Sequence, residues 1–244
     1  MRQLIKNFIS LENRNKLRSY APAFLCGKTS YSQCGEDLLV LFALDMLVGS
    51  RPKRYLDIGA NNPFFLSNTA LLYKKGGEGI LVEPDPELAG QLRSKRPRDK
   101  VLQVGVHCSG DQTAEFFVMD SPTLNTFSGA EMSRYVSMGH KLKATIKVDL
   151  MSVNAILEMA GQVDFMNIDI EGLDYAVLSM VDWDVHRPLC VCVETLTYEI
   201  RDKPVKRKEI IELMEERDYI LFADTFINSI FVDRRSWQAH WKTS

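Results

Sequence analysis

The sequence lacks the cysteine spacing of a zinc site or of a disulfide framework. None of its five cysteines forms a CxxC pair, and Cys190 and Cys192 lie two residues apart in an apolar run typical of a buried strand. An odd number of cysteines without such spacing indicates reduced thiols. The sequence therefore predicts a cytoplasmic protein whose cysteines, which also include Cys26, Cys34 and Cys108, are structural.

A strong net charge and a long apolar run are absent as well. The formal net charge of −2 gives no reason to expect a nucleic-acid partner. The most apolar run, residues 38–48, contains Asp45 and is too short to span a bilayer. Residues 1–17 are basic and mildly amphipathic, without the apolar stretch and cleavage site of a secretory signal. We expect no transmembrane segment.

Short apolar runs alternate with helical patterns after a predicted N-terminal helical cap, residues 1–30. The remainder, residues 31–244, is long enough for one domain with a substantial core. Alternation of this kind predicts an α/β fold with a mostly parallel sheet covered by helices on both faces. The predicted strands are residues 54–58, 79–83, 101–106, 163–169 and 189–194. The predicted helices are residues 37–48, 66–75, 86–96, 152–160, 172–181 and 204–217.

Two segments depart from the alternation. Residues 219–233 contain two strand-like runs with no room for a helix between them, which predicts an antiparallel hairpin. A mostly parallel, seven-stranded sheet that closes with such a hairpin is typical of class I methyltransferases with a Rossmann-like fold. Residues 114–150 are interpreted as an insertion before the fourth core strand, placed to cover the strand ends where ligands bind.

The stretch YLDIGANNPFFLSNTA, residues 55–70, contains less glycine than a dinucleotide-binding turn. Asp57 and the following backbone N–H groups should lie at the carboxyl edge of the sheet, and Gly59 permits close approach of a ligand. A pyrophosphate needs a glycine-lined helix N-terminus, but residues 61–64 are Asn-Asn-Pro-Phe. The loop therefore suits S-adenosylmethionine (SAM), with Glu83 on the ribose hydroxyls. A purely structural strand-to-helix corner is the alternative.

Taken together, several motifs resemble the FkbM-type SAM-dependent methyltransferases. The resemblance implies O-methylation of a small-molecule or glycan hydroxyl, typically in polysaccharide or secondary-metabolite biosynthesis, and the acceptor could be nucleotide-linked or lipid-linked. Self-association into a homo-oligomer stays open. The matching stretches are SQCGED (32–37), YLDIGANNPFFLSNT (55–69), GILVEPDPEL (79–88), DSPTLNTFS (120–128), FMNIDIEGLDYAVL (165–178), VCVETLTYE (191–199) and ADTFINSIFVD (223–233).

The resemblance also implies a cofactor site around the first two strands. For Gln33 and Asp37, capping of the helix at residues 37–48 is the alternative. His107 follows the third strand, near where adenine would lie, and could be a base or an incidental contact; the family pattern does not require a histidine there. The predicted cofactor-binding residues are Gln33, Asp37, Asp57, Gly59, Ala60, Asn61, Asn68, Glu83, Pro84 and His107.

Three carboxylates are the predicted catalytic residues. Asp169 and Glu171 follow the fourth strand and Glu194 ends the fifth, so adjacent strands would bring them together. They would either bind a divalent cation, Mg²⁺ or Mn²⁺, that polarises the acceptor hydroxyl, or supply a general base with a raised pKa. Alternatively, Glu171 and Asp174 only favour the start of the next helix.

The acceptor side is predicted from polar residues in two loops. Thr123, Asn125 and Thr126 in the insertion could bind a polyhydroxylated acceptor, and a local turn is the alternative. Asp224 and Asn228 flank the hairpin turn and match the family pattern, and turn formation is again the alternative.

Three alternative functions fit parts of the sequence. An NAD-type oxidoreductase is disfavoured by the missing glycines and by the hairpin. A non-catalytic SAM-binding partner of a glycan-biosynthesis enzyme would keep the fold, and the acidic residues argue against it. N-methylation of an amino or amide group is an alternative to O-methylation.

Overall fold

A computed structural model of the chain describes residues 27–107, 110–170, 172–198 and 204–242. Most of the predicted N-terminal cap and Glu171 therefore lie outside the described residues, and residues from Tyr31 onward form one compact unit. The helices are α1 (Glu36–Val48), α2 (Ala70–Lys74), α3 (Pro86–Lys95), α4 (Gly129–Ser137), α5 (Val153–Ala160), α6 (Asp174–Met180), α7 (Lys208–Glu216) and α8 (Arg234–Lys242). The strands are β1 (Arg54–Ile58), β2 (Glu78–Val82), β3 (Lys100–Leu102), β4 (Gly105–Val106), β5 (Thr113–Met119), β6 (Leu142–Met151), β7 (Phe165–Ile168), β8 (Cys190–Glu194), β9 (Leu196–Tyr198), β10 (Pro204–Lys206), β11 (Tyr219–Asp224) and β12 (Asn228–Asp233).

The main sheet has seven strands in the order β11-β12-β8-β7-β1-β2-β3. Strands β8, β7, β1, β2 and β3 are parallel, whereas β12 is antiparallel to both β8 and β11. The predicted α/β fold class and the closing hairpin are therefore confirmed. The order is that of a class I methyltransferase, in which the connections cross over at β1 and β7 and leave a crevice at their carboxyl ends.

The core lies on both faces of this sheet because successive strand residues point to opposite sides. Leu56 and Ile58 pack on the side of α5, α6 and α7, whereas Tyr55 packs on the side of α1 and α2. Asp57 shares the second face, beside Asn167 of the neighbouring strand. A polar row is therefore placed on the α1 and α2 side, at the edge where the strands end.

The predicted third strand, residues 101–106, is divided into two. β3 pairs with β2, whereas β4 leaves the main sheet and pairs with β6. A Cβ atom on Gly105 would lie 2.4 Å from the ring of Phe127, so this glycine allows the close packing where the chain leaves the main sheet. Apolar periodicity could not reveal the division, because Val101, Leu102, Val104 and Val106 form one nearly continuous apolar run.

Two predicted helices, residues 66–75 and 204–217, begin four residues later than predicted, and α8 has no counterpart among the predicted helices. Asn62 Oδ1 accepts hydrogen bonds from the N–H groups of Phe64 (3.0 Å) and Phe65 (2.9 Å), and Leu66 has a φ of 54°. These turns delay α2 until Ala70. Likewise, residues 204–206 pair with β9, and α7 starts only at residue 208.

Residues 113–151 build a separate unit on the main sheet. β5 and β6 form an antiparallel hairpin, joined to β4 in a three-stranded sheet. A short 3₁₀ turn, Pro122–Leu124, and α4 lie between the two long strands. Asn61 Nδ2 donates to the carbonyl oxygen of Pro122 (3.1 Å), which ties this unit to the loop after β1. Among the described residues, no helix has both the length and the apolar character needed to cross a bilayer.

Candidate active site

A cavity of about 360 Å³ opens at the carboxyl ends of β1, β2, β7 and β8, which is the size range of small-molecule sites. Asp37, His107 and Asp224 are not among the residues that line it. The predicted site residues that do line it are Gln33, Asp57, Gly59, Ala60, Asn61, Asn68, Glu83, Pro84, Thr123, Asn125, Thr126, Asp169, Glu194 and Asn228.

The loop after β1 is held tightly against the sheet. Gly59 has a φ of 87°, and a Cβ atom on it would lie 1.9 Å from the carbonyl oxygen of Asp169, so no other residue fits here. The N–H groups of Gly59 and Ala60 both donate to the Val82 carbonyl oxygen, at 3.0 and 3.1 Å. The loop therefore shapes the cavity, and the N–H groups of Gly59 and Ala60 are bonded within the protein.

Asp57 is buried, and both of its carboxylate oxygens accept hydrogen bonds. Thr69 Oγ1 donates to Oδ2, and Asn167 Nδ2 donates to Oδ1 at 2.9 Å. Burial raises the pKa of Asp57, whereas the Thr69 hydroxyl, nearby Arg96 and the Asn167 amide oppose that rise. Asp57 is therefore engaged by the protein on both oxygens, although it borders the cavity.

Beneath Asp57 lies a buried polar network that the sequence did not reveal. Arg96, fully buried, donates through Nε to Asp99 (2.7 Å) and through both Nη atoms to Thr69 Oγ1 (3.0 and 3.1 Å). Tyr55 completes it by donating to Asp99 Oδ1 at 2.7 Å. The only sequence signal was two charged residues near a helix end, which usually indicates an exposed position.

Glu83 directly follows β2 and lines the cavity. It accepts one hydrogen bond from the N–H of Asn61 (2.8 Å) and one from that of Asp85 (2.9 Å), each on a different oxygen. Each carboxylate oxygen has a second lone pair, so capacity for ligand hydroxyls remains. Burial, partly offset by these two N–H groups, raises the pKa of Glu83 to about 7.

Asp169 and Glu194 come from adjacent strands. Ile168 and Val193 are register partners, so the residue that follows each of them stands at the same edge and lines the cavity. Glu171 lies outside the described residues. Asp174 accepts from the N–H groups of Ile170 and Gly172, both at 3.1 Å, which is a helix-start role. No group of three or more His, Cys, Asp or Glu is arranged for a metal ion within the described ranges, so the predicted Mg²⁺ or Mn²⁺ site has no support.

The segment before α1 reaches the cavity through Gln33. The first residue of α1, Glu36, is a buried acid that was not among the predicted site residues. Glu36 accepts from the Cys34 N–H (2.8 Å), Thr225 Oγ1 (2.7 Å) and Asn228 Nδ2 (3.1 Å). Burial alone would raise the pKa of Glu36, but these donors lower it on balance. Glu36 therefore fixes the amide of Asn228, which stands beside Glu194 across the strand pair.

Asp37, His107 and Asp224 have other partners. Asp37 accepts from the Tyr31 N–H (2.7 Å) and from Ser32 Oγ (3.0 Å), both in the segment before α1. The N-cap of α1 is Gly35, so the predicted capping alternative for Asp37 is not what the structure shows. His107 Nδ1 accepts from the Gly110 N–H at 3.3 Å. Asp224 pairs with Lys206 Nζ at 2.9 Å and accepts from the Phe226 N–H, which is turn chemistry.

The three polar residues of the 113–151 unit line the cavity but differ in their engagement. Asn125 accepts from the Met119 N–H (2.8 Å) and donates to Asp85 Oδ2 (3.0 Å), so its amide links the unit to the start of α3. Thr126 Oγ1 accepts from the Ser128 N–H at 3.0 Å. Within the described part of the chain, the Thr123 hydroxyl contacts only Ser121 Oγ (3.1 Å), and Thr123 is exposed, so it retains the most capacity for a ligand.

The charges around the cavity have one sign. Asp57, Glu83, Asp169 and Glu194 all line it, and none of the lining residues that the structure describes is Lys, Arg or His. A partly enclosed space whose described lining contains four carboxylates and no basic side chain favours a cationic ligand and disfavours phosphate.

The strand order and the cavity at this sheet edge define a class I methyltransferase fold. A family model described as Methyltransferase FkbM domain matches residues 57–221. The chain belongs to this FkbM methyltransferase family. A comparison with curated proteins gives no match.

Several solved structures are similar over most of the chain at low sequence identity. A TehB-like SAM-dependent methyltransferase from Corynebacterium glutamicum ATCC 13032 Kitasato is 12% identical, with 90% of this chain and 97% of that chain covered and a TM-score of 0.43. An O-methyltransferase from Bacillus cereus, in complex with SAH, is 12% identical, with 94% and 96% covered and a TM-score of 0.37. The bifunctional kinase-methyltransferase WbdD is 14% identical, with 90% and 46% covered and a TM-score of 0.44. The family assignment rests on the family model and not on these distant structures.

Proposed function

We propose that the protein transfers the methyl group of SAM to a hydroxyl of a sugar or related glycan. The observation that carries the proposal is the cavity of one charge sign, lined by four carboxylates and by no basic side chain among its described residues. SAM carries a sulfonium and an ammonium, which suit such a cavity. NAD carries a pyrophosphate, which does not.

The adenosine part is assigned to the β2 side of the cavity. Glu83 directly follows β2 and has lone pairs left for both ribose hydroxyls, while Ala60, Asn61 and Pro84 border the same region. Gly59 adds no side chain to this part of the cavity wall, because a Cβ atom there would clash with the Asp169 carbonyl oxygen. The methionyl part then extends across β1 toward β7 and β8.

The acceptor hydroxyl is assigned to the side of Asp169 and Glu194. In an SN2 transfer, the hydroxyl oxygen forms the new C–O bond as the methyl C–S bond breaks, and the sulfur keeps the electron pair to give S-adenosylhomocysteine (SAH). The hydroxyl proton passes to one of the two carboxylates, which acts as general base. Glu171, beyond the described residues, belongs to the same proposed set. Most of the acceleration comes from alignment of donor and acceptor, because the sulfonium is already a good leaving group.

The acceptor class follows from the family resemblance, which favours glycans in surface-polysaccharide biosynthesis, free or linked to a nucleotide or lipid carrier. Exposed Thr123 and the amide of buried Asn228 line the cavity and are the proposed contacts for the hydroxyls of the acceptor. We further propose a cytoplasmic location, where SAM is made.

Calorimetric titration with SAH, with NAD as the control, tests the cofactor assignment. We expect saturable one-site binding of SAH and none of NAD. Glycan acceptors are then incubated with labelled SAM, and label in the glycan establishes the transfer. Binding of NAD alone would overturn the proposal, and SAH binding without transfer to any nucleophile would favour the non-catalytic alternative.

A further inference from the structure

In the buried network below the cavity, Arg96 determines which groups donate hydrogen bonds and which accept them. A guanidinium can only donate hydrogen bonds, and two of its N–H groups reach Thr69 Oγ1. The lone pairs of that hydroxyl are thereby engaged, so Thr69 must donate its own proton to Asp57 Oδ2. The neighbouring positive charge also favours the carboxylate form of Asp57.

The same order of donors and acceptors continues from Asp57 through the side-chain amides of Asn167 and Asn68. Asp57 Oδ1 accepts from Asn167 Nδ2 at 2.9 Å, which turns the carbonyl oxygen of Asn167 away from the carboxylate. That oxygen accepts from Asn68 Nδ2, also at 2.9 Å. The Asn68 amide is therefore fixed with its NH₂ group toward the protein and its Oδ1 atom on the other side.

This chain of hydrogen bonds, the relay from Arg96 to Asn68, ends at the Oδ1 atom of Asn68, which faces the cavity. Among the described residues, no hydrogen-bond donor reaches Asn68 Oδ1, and no fully buried side-chain oxygen or nitrogen lacks a partner. The Oδ1 atom is therefore accessible, and Asn68 lines the cavity. It lies on the β7 and β8 side, since its NH₂ group contacts Asn167 and lies 3.8 Å from Cys192 Sγ. Glu83 stands on the opposite side of β1.

We infer that Asn68 Oδ1 accepts a hydrogen bond from the α-ammonium group of the cofactor, with Asn167 as its positioning residue. The inference rests on the proposed function, which places the ribose at Glu83 and so sends the amino-acid end across β1. An oriented carbonyl oxygen in a cavity lined by acids recognises an ammonium, and Asp57 contributes through the relay instead of by direct contact.

Two probes separate this contact from the rest of the site. SAH contains the ammonium, whereas 5′-methylthioadenosine keeps the nucleoside thioether and lacks the amino-acid group. We expect Asn68→Leu to weaken SAH binding by about tenfold or more, as for a lost hydrogen bond to a charged group. Binding of 5′-methylthioadenosine should change by less than about twofold, because its contacts are intact. If the latter binds too weakly for direct calorimetry, its affinity is measured by displacement of SAH.

Asn167→Leu tests the positioning role. This variant leaves Asn68 in place but allows its amide to rotate. The affinity for SAH relative to that for 5′-methylthioadenosine should therefore fall, by a smaller factor than in Asn68→Leu. The matched control is Asn154→Leu, which removes an amide bonded to the Met180 carbonyl (2.8 Å) outside the cavity and should leave the ratio unchanged. Thermal unfolding is measured for each variant.

Each outcome has a defined meaning. If Asn68→Leu leaves both affinities unchanged, or lowers both equally, the ammonium is not bound by Asn68 and the inference is overturned. If the wild-type protein binds neither probe, the proposed function itself fails and this inference fails with it.

Discussion

Two sets of carboxylates lie near β1, and their surroundings differ. Below the cavity, Asp57 and Asp99 belong to a buried network with a fully buried guanidinium, Arg96. Around the cavity, Asp169 and Glu194 stand at strand ends with no basic residue among the described lining.

The difference indicates that the two sets of carboxylates have different roles. The positive charge of Arg96 offsets the free-energy cost of burying Asp57 and Asp99. The geometry of the lower set is therefore fixed before any ligand binds. The upper set lines the cavity in which a cationic ligand is proposed to bind. The lower network should therefore determine stability and the upper acids ligand selectivity.

Removal of the lower cation should have the largest effect on stability. Arg96→Met leaves Asp99 as a buried charge without its partner and removes the donor that sets the Thr69 hydroxyl. We expect the free energy of unfolding to fall by about 3–5 kcal/mol, measured by urea denaturation.

The matched control is Arg93→Met, three residues earlier, where the side chain is exposed and contacts only Gln103. That change should stay within about 0.5 kcal/mol. Equal stability of the two variants would show that the lower network does not differ from a surface pair.

Glu83 lies between the two sets and should give a pH-dependent effect of intermediate size. Its folded-state pKa of about 7 lies above the ordinary value of 4.5, so between these pH values the folded state keeps a proton that the unfolded state releases. Stability from this group is complete below pH 4.5 and is lost as the pH rises to about 7. The expected loss is about 3 kcal/mol.

Urea denaturation of wild type and Glu83→Gln across a pH range of about 4–8 measures this loss. The variant cannot titrate at this position, so the difference between the two curves isolates Glu83 from the other acids. Parallel curves would mean that Glu83 is ionised throughout and that the N–H donors of Asn61 and Asp85 outweigh its burial.

The upper acids should have the smallest effect on folding. Asp169→Asn and Glu194→Gln keep the shape of each side chain, and we expect stability changes within about 1 kcal/mol because both lie at the open strand edge. Affinity for SAM should fall about three- to tenfold more than affinity for SAH, because only SAM carries the sulfonium charge. An unchanged affinity ratio would place the sulfonium away from these acids.

Much of the fold was predictable because it depends on local patterns. The buried strands read as short apolar runs, Asp85 and Ser152 cap α3 and α5 as their positions suggest, and the few residues between the last two apolar runs leave room only for a hairpin. The tight turn at Gly59 was also predictable, since glycine is the residue that a sharp turn directly after a buried strand requires.

The partners of the polar residues were not predictable. Glu36 and Asp37 are adjacent and equally acidic, and only packing decides that Glu36 turns to Asn228 while Asp37 turns back to Tyr31. Arg96 looked like a surface residue for the same reason, because its partners Thr69 and Tyr55 lie elsewhere in the chain.

The sequence by itself determined the sheet, its closing hairpin and the strand ends at which acids and glycine cluster, because hydrophobic periodicity and turn chemistry act over a few residues. The tertiary structure alone decided which acids are bonded inside the protein and which face the cavity. That distinction depends on hydrogen bonds between residues about 30 to 190 positions apart, such as Arg96 with Thr69 and Asn228 with Glu36, whose geometry no local pattern encodes.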